Sequence, residues 1–137
     1  MNRILILAIS LALLSGCGEP KVSMSDPVPV TGTVKTADGK PVPNVRVMLL
    51  TVNTQAGANG TTDAAGNFKL GTYDNKEGAI PGKYRVQLTP ILKGDNTETE
   101  NSYKTLKTLP PRFLADDSTL EVEVASGKPL DIVIPAK

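Results

Sequence analysis

The chain predicts an all-β fold: a single β-sandwich of about seven strands behind a short N-terminal leader and tether. Three observations carry that expectation. Apolar residues recur with period two in six short runs, turn-forming residues stand between the runs, and no stretch beyond the leader has a helical period of useful length. At 137 residues the chain is long enough for one domain with a real core and too short for two comfortable ones.

The runs follow one another along the chain. Val28, Val30, Gly32 and Val34 alternate with Pro29, Thr31, Thr33 and Lys35, and Asp38-Gly39 ahead of Lys40-Pro41 links this run to the next. Val45, Val47 and Leu49 alternate with Arg46, Met48 and Leu50; both faces are apolar, so this strand is expected to be central. Residues 62–67, TDAAGN, look like a hairpin turn before the short run Phe68, Leu70. There Asp63 is expected to accept from nearby backbone N–H groups, and Gly66 can take positive φ. Asp63 supplies a single carboxylate, so a structural turn fits this stretch better than a calcium loop.

Pro81-Gly82 suits a type II turn feeding Tyr84, Val86 and Leu88, which places Tyr84 in the core. Leu120, Val122 and Val124 alternate with Glu121 and Glu123; Leu130, Ile132 and Ile134 alternate with Asp131 and Val133. Ser126-Gly127-Lys128 is expected to close these last two strands as a hairpin. Strands at this spacing, separated by turns, argue a two-sheet sandwich. Residues 91–109 are polar and too long for a hairpin loop. They are expected to form a mobile surface loop with at most one weak strand or turn, and to be the contact surface for a partner. Residues 110–113, Pro-Pro-Arg-Phe, are expected to pin the chain back on the body.

Composition narrows the chemistry. Lys plus Arg total 15 against 14 Asp plus Glu, a net charge of +1, so nothing electrostatic favours nucleic acid. The chain has no His and no Trp. That removes Ser-His-Asp and Cys-His nucleophile activation and His-based metal sites. Catalysis would have to run on carboxylates, Lys, Tyr or Ser, and no catalytic, cofactor or metal residue is assigned. The adjacent Asp116-Asp117 read as turn formers. Of the five aromatics, Phe68 and Tyr84 fall in strand alternation, whereas Tyr73 and Tyr103 fall in loops and are the candidate partner or ligand contacts.

The amino terminus reads MNRILILAISLALLSGC. Arg3 precedes an apolar run of 11 residues from Ile4 to Leu14. As a helix that run is about 16 Å long, well short of a hydrocarbon core of about 30 Å, which marks a signal-peptide core and not a membrane span. Leu14-Ser15-Gly16-Cys17 then resembles the lipobox of bacterial lipoproteins. The resemblance implies a diacylglyceryl group on the Cys17 thiol, with palmitate-type acyl chains, and cleavage before it. The alternative is ordinary secretion with cleavage near Gly16, which leaves a lone thiol unexplained. Residues 1–16 are thus the expected signal peptide, 17–27 a lipidated Cys and flexible tether, and 28–137 the folded domain. Loss of Arg3 leaves basic and acidic side chains equal at 14. Gly18 is not the Asp that, in this family, retains a lipoprotein in the inner membrane, so the resemblance points to the outer membrane.

Four separated pieces carry a second resemblance: VTGTV at 30–34, DGKPVPNV at 38–45, Thr62-Asp63 with Gly66-x-Phe68, and PGKYxV at 81–86. In order and spacing they resemble carboxypeptidase regulatory-like and transthyretin-like domains over residues 28–88, with a looser tail to Ile134. The resemblance implies a prealbumin-like Greek-key sandwich. It imports no chemistry: the related hydroxyisourate hydrolases and intradiol dioxygenases use His, which is absent here.

The expected function is therefore a membrane-anchored, extracytoplasmic, non-catalytic interaction or structural module of the cell envelope. Its partners are the membrane, through lipid on Cys17, and an envelope protein or polysaccharide. The alternative is a carbohydrate- or small-ligand-binding accessory domain, favoured if Tyr73 and Tyr103 are exposed on one face. A carboxylate enzyme would need two close acids of raised pKa in an open cleft.

Overall fold

A computed structural model describes residues 26–52, 56–72, 76–95, 97–115 and 118–136. Among the described residues eight strands form: β1 (Thr31–Thr36), β2 (Arg46–Thr51), β3 (Ala58–Thr61), β4 (Asn67–Lys69), β5 (Gly71–Thr72), β6 (Gly82–Thr89), β7 (Glu121–Val124) and β8 (Leu130–Ile134). They make two sheets, one in the order β4-β1-β8 and one in the order β5-β3-β2-β6-β7. The chain is an all-β sandwich.

Period-two alternation translates directly into burial. In β6, Tyr84, Val86 and Leu88 are buried; in β8, Leu130, Ile132 and Ile134 are buried while Asp131 and Val133 face outward. β2 is the middle strand of its sheet, with Val47 between Gly60 and Leu88 and Leu49 between Ala58 and Val86. The β6–β7 register sets Lys83 opposite Glu123 and Arg85 opposite Glu121, so opposite charges face each other across the ladder. Tyr84 is fully buried, and its hydroxyl donates to the Ile80 carbonyl at 2.6 Å. Phe68 is buried with it in the same core.

Two turns lead somewhere other than the local reading expects. Residues 125–129 do not close a hairpin: β7 pairs with β6, whereas β8 crosses to the other sheet and pairs parallel with β1, Val34 beside Ile132 and Thr36 beside Ile134. The 62–67 turn likewise carries the chain from β3 in one sheet to β4 in the other. Asp63 behaves as expected, with Oδ1 accepting from the N–H groups of Ala65 and Asn67 at 2.9 Å each, and Gly66 has φ +78°. The turn is fitted against β1, however, because Val34 N–H donates to the Gly66 carbonyl at 2.8 Å. Turn chemistry fixes where a chain reverses, and not which strand it pairs with next.

A helix also forms where none was expected, α1 (Glu100–Leu106). At seven residues it is too short to show a helical period. Only Ser102 and Leu106, four apart, turn inward. Glu100 and Lys104 pair along its outer face at 2.6 Å. A single 3-10 turn, Pro111–Phe113, follows and seats Phe113 in the core, as the pinning role of that stretch requires.

Gly32 is the tightest point of the three-stranded sheet. A Cβ there would stand 2.1 Å from the Leu130 carbonyl oxygen and 2.6 Å from the Phe68 ring. Gly32→Ala is expected to cost roughly 2 kcal/mol or more, since the clash on one side is with backbone. Tyr84→Ala is expected to cost about 3–5 kcal/mol. Tyr84→Phe, which keeps the ring but strands the Ile80 carbonyl, is expected to cost about 1–3 kcal/mol. Chemical denaturation of the three variants checks the order; a Tyr84→Ala protein as stable as the parent contradicts the packing.

Candidate functional site

The strands run between two poles, and the chain chemistry differs at each. At one pole Val28 bridges Ala79, exchanging N–H···O bonds of 2.9 and 3.0 Å, and the chain enters β1 beside it. β6 starts at this pole, three residues after Ala79, and β5 ends there, Thr72 lying opposite Ala58 at the start of β3. At the other pole lie the ends of β1 and β8, the end of β6 opposite the start of β2, and the segment carrying α1. Six residues of strand put the poles roughly 20 Å apart.

The far pole holds an open groove of about 940 Å³. Its floor is apolar: the lining residues Val42, Leu109 and Ile134 are buried members of the core. Pro41, Pro43, Pro110 and Pro135 stiffen its walls and offer no N–H group. Lys40 and Asp38 come from the turn after β1, and Lys104, Thr105 and Thr108 from α1 and its C-terminal end. The turn is self-contained: the Thr36 hydroxyl donates to Asp38, Lys40 Nζ stands 3.4 Å from the Asp38 carboxylate, and Gly39 takes φ +85°.

The electrostatics are those of held anions. The Asp38 carboxyl lies below the usual range, first because the Thr36 hydroxyl donates to it and less because of Lys40. Glu77 is lowered by the Lys69 ammonium, and Asp95 by the Thr97 hydroxyl and N–H. All three shifts are downward, the direction that keeps a carboxylate ionised, not one that readies it as a proton donor at neutral pH. Among the described residues no three Cys, Asp or Glu side chains cluster as a metal site would require.

The expected contact residues fall differently. Cys17, Tyr73 and Asp116-Asp117 lie outside the described residues. Tyr103 sits on α1 and is 50% exposed, with Lys107 Nζ 4.9 Å from its ring centroid, so one ring face already carries a cation.

Residues 91–109 are not a structureless loop. Leu92 bridges Glu98, Lys93 N–H donates to Thr97 at 2.8 Å, and Ile91 N–H donates to the buried Ser102 hydroxyl at 3.0 Å. Leu106 and Leu109 belong to the core. The polar composition of this stretch hid two anchors four and seven residues beyond Ser102, which suffice to dock one helical turn. The groove itself had no sequence signal, because its walls are drawn from residues 36–43, 104–110 and 134–136.

Two outcomes follow. Leu106→Ala is expected to cost about 2–3 kcal/mol, measured by thermal unfolding, and replacing residues 94–104 with a short linker is expected to destabilise the domain and not leave its melting point unchanged. The Asp38 carboxyl, followed by carbon-detected NMR, is expected to titrate below 3.8 and to move up toward it in Thr36→Val. A lowered pKa in the folded state stabilises the fold above the unfolded value, and that stabilisation is lost as pH falls through the folded one. A midpoint unmoved by Thr36→Val would contradict the assignment.

Residues 29–91 match the family model of the carboxypeptidase regulatory-like domain. No curated protein and no solved structure matches the chain. The match starts just before β1 and ends just past β6, so it takes in six of the eight strands; α1, β7 and β8 follow it. On the order of its motifs, the sandwich they build and this match, residues 29–91 are similar to a carboxypeptidase regulatory-like domain.

Proposed function

We propose that the protein is a membrane-anchored, extracytoplasmic lipoprotein whose sandwich serves as a non-catalytic interaction module of the cell envelope. One observation carries the reading best: the chain enters the fold at one pole, and the apolar groove opens at the other. A tether of some ten residues from Cys17 reaches about 35 Å at most. It would hold the entry pole near the bilayer and leave the groove facing away, accessible to a partner.

The anchor rests on the signal-type run of residues 4–14 and the Leu14-Ser15-Gly16-Cys17 sequence. None of the described helices is long and apolar enough to cross a membrane. Two or more acyl chains on Cys17 would anchor the chain stably where one would bind only reversibly. A binding role is favoured over catalysis by the make-up of the groove, which offers fixed apolar walls and one carboxylate already engaged by Thr36 and Lys40.

Cys17→Ala is expected to move the protein from the membrane pellet to the soluble fraction, or to stop its processing, and to abolish labelling by radioactive palmitate. Unchanged membrane partition with unchanged processing would contradict the anchor.

A further inference from the structure

We propose that the outward face of the five-stranded sheet docks an acidic amphipathic helix of a partner protein, held by the guanidinium groups of Arg46 and Arg85. The surface is distinct from the groove. The inference rests on the reading of the domain as an interaction module and names the chemistry of one partner.

The alternation that buries the core also builds this face. Val47 and Leu49 point into the sandwich, so Arg46, Met48 and Leu50 of β2 lie on the other side of the sheet, with Arg85 and Gln87 of β6 beside them. Val52, next in the same alternation, is 47% exposed. Met48, Leu50 and Val52 thus make an apolar column along the central strand, with one arginine in line with it and a second at its flank. The outward face of the three-stranded sheet has the make-up of an ordinary solvent face: Thr33 donates to Asp131 there, and Lys69 is paired with Glu77.

The two arginines select the occupant's charge. Among the described residues no hydrogen bond or ion pair reaches either guanidinium. Arg46 has Thr61 and Thr89 on either side in the ladder, with no acid in register, and its Nε is buried without an acceptor. Glu121 stands opposite Arg85 on β7 but is exposed and forms no ion pair with it. Both arginines are half-buried and stay charged at neutral pH, and the planar fork of each fits a carboxylate.

The backbone selects a helix. β2 is bonded on both sides, by β3 and β6, and Gln87 Nε2 already donates to the Leu114 carbonyl at 3.1 Å. The face therefore offers an incoming main chain no partners. An extended segment laid on it would bury bare N–H and C=O groups, whereas a helix satisfies its own. Sugars fit poorly, because among the described residues this face presents no aromatic ring on which they could stack. The spacing agrees with a helix. Thr89 is the register partner of Arg46, and Arg85 lies four residues along β6 from it, so the arginines stand about 13 Å apart along the strands and about 5 Å apart across them. Carboxylates about eight residues apart on a helix are separated by about 12 Å along its axis and about 80° around it, one over the apolar column and one to its side. The column then receives the apolar stripe of the helix.

The test uses the full-length protein in phosphatidylcholine nanodiscs, whose lipid carries no net charge, and three fluorescent helical peptides of about five turns. The peptides share a leucine stripe and differ at two positions about eight residues apart, which hold Glu, Gln or Lys. Polygalacturonate is the polysaccharide probe. The Glu peptide is expected to bind roughly tenfold more tightly than the Gln peptide, and the Lys peptide most weakly. Arg46→Gln/Arg85→Gln is expected to bring the three to equal affinity, and Val52→Asp, at an exposed position, to weaken all three. Thermal melting of each variant checks that the fold is kept; if the double variant melts early, Arg85→Gln alone is expected to narrow the difference between the Glu and Gln peptides. Thr108→Trp, which alters the groove, is expected to leave the Glu peptide's affinity unchanged. Equal binding of the three peptides by the parent, discrimination that survives loss of the arginines, binding lost in Thr108→Trp, no peptide binding, or polygalacturonate bound in place of the peptides would each overturn the proposal. Membrane partition of Cys17→Ala bears only on the anchor, so failure of the helix chemistry and failure of the lipoprotein reading are separable.

Discussion

The parallel ladder between β1 and β8 is the interaction on which the rest of the molecule depends. It joins the first strand of the fold to the last, with five residue pairs from Gly32 beside Leu130 to Thr36 beside Ile134. Without it the three-stranded sheet would be β4 and β1 alone, and two strands are marginal in water. The ladder is possible because position 32 has no side chain: the Leu130 carbonyl and the Phe68 ring both occupy the space a Cβ would need. A single glycine thus lets a parallel neighbour approach on one side and an aromatic ring close over β1 from the other.

The same ladder lays out the poles. At its start, β1 receives the chain from Val28, held by Ala79. At its end, Thr36 and Ile134 stand side by side and both line the groove, together with the turn after β1 and the end of α1. Entry point and groove are therefore separated by the length of the strand they share. Flexibility in a tether can tilt the domain, but it cannot bring the two ends of β1 together. That separation is what would let the proposed anchor at Cys17 and the groove work at opposite ends of the domain.

Much of this was legible in the residues and some was not, for physical reasons. Alternation revealed the buried faces of β2, β6 and β8, because a half-buried strand must place every second side chain in the core. Tyr84 could be placed through its alternation with Val86 and Leu88, although Gly82 opens β6 at φ +152° and not the type II turn expected there, and Asp63 through its capacity to satisfy two N–H groups of its own turn. Lateral partners were hidden: Gly127 at φ +73° reverses the chain equally well into a hairpin or across to the other sheet. The crossing wins because it sets Ile132 beside Val34 in the core. α1 was hidden because only Ser102 and Leu106 face inward, too few to mark a period. The groove was hidden because Pro41, Pro110 and Pro135 come from three distant stretches, and only the fold brings them together.

The most direct test is therefore the pairing of β8. In the isotopically labelled protein, interstrand nuclear Overhauser contacts should link Thr33 with Asp131, Val34 with Ile132 and Lys35 with Val133 in a parallel pattern. An antiparallel set of contacts between β8 and β7 across the Ser126-Gly127-Lys128 turn would contradict the account, since Ile134 would then leave the end of β1 and the groove would lose its floor.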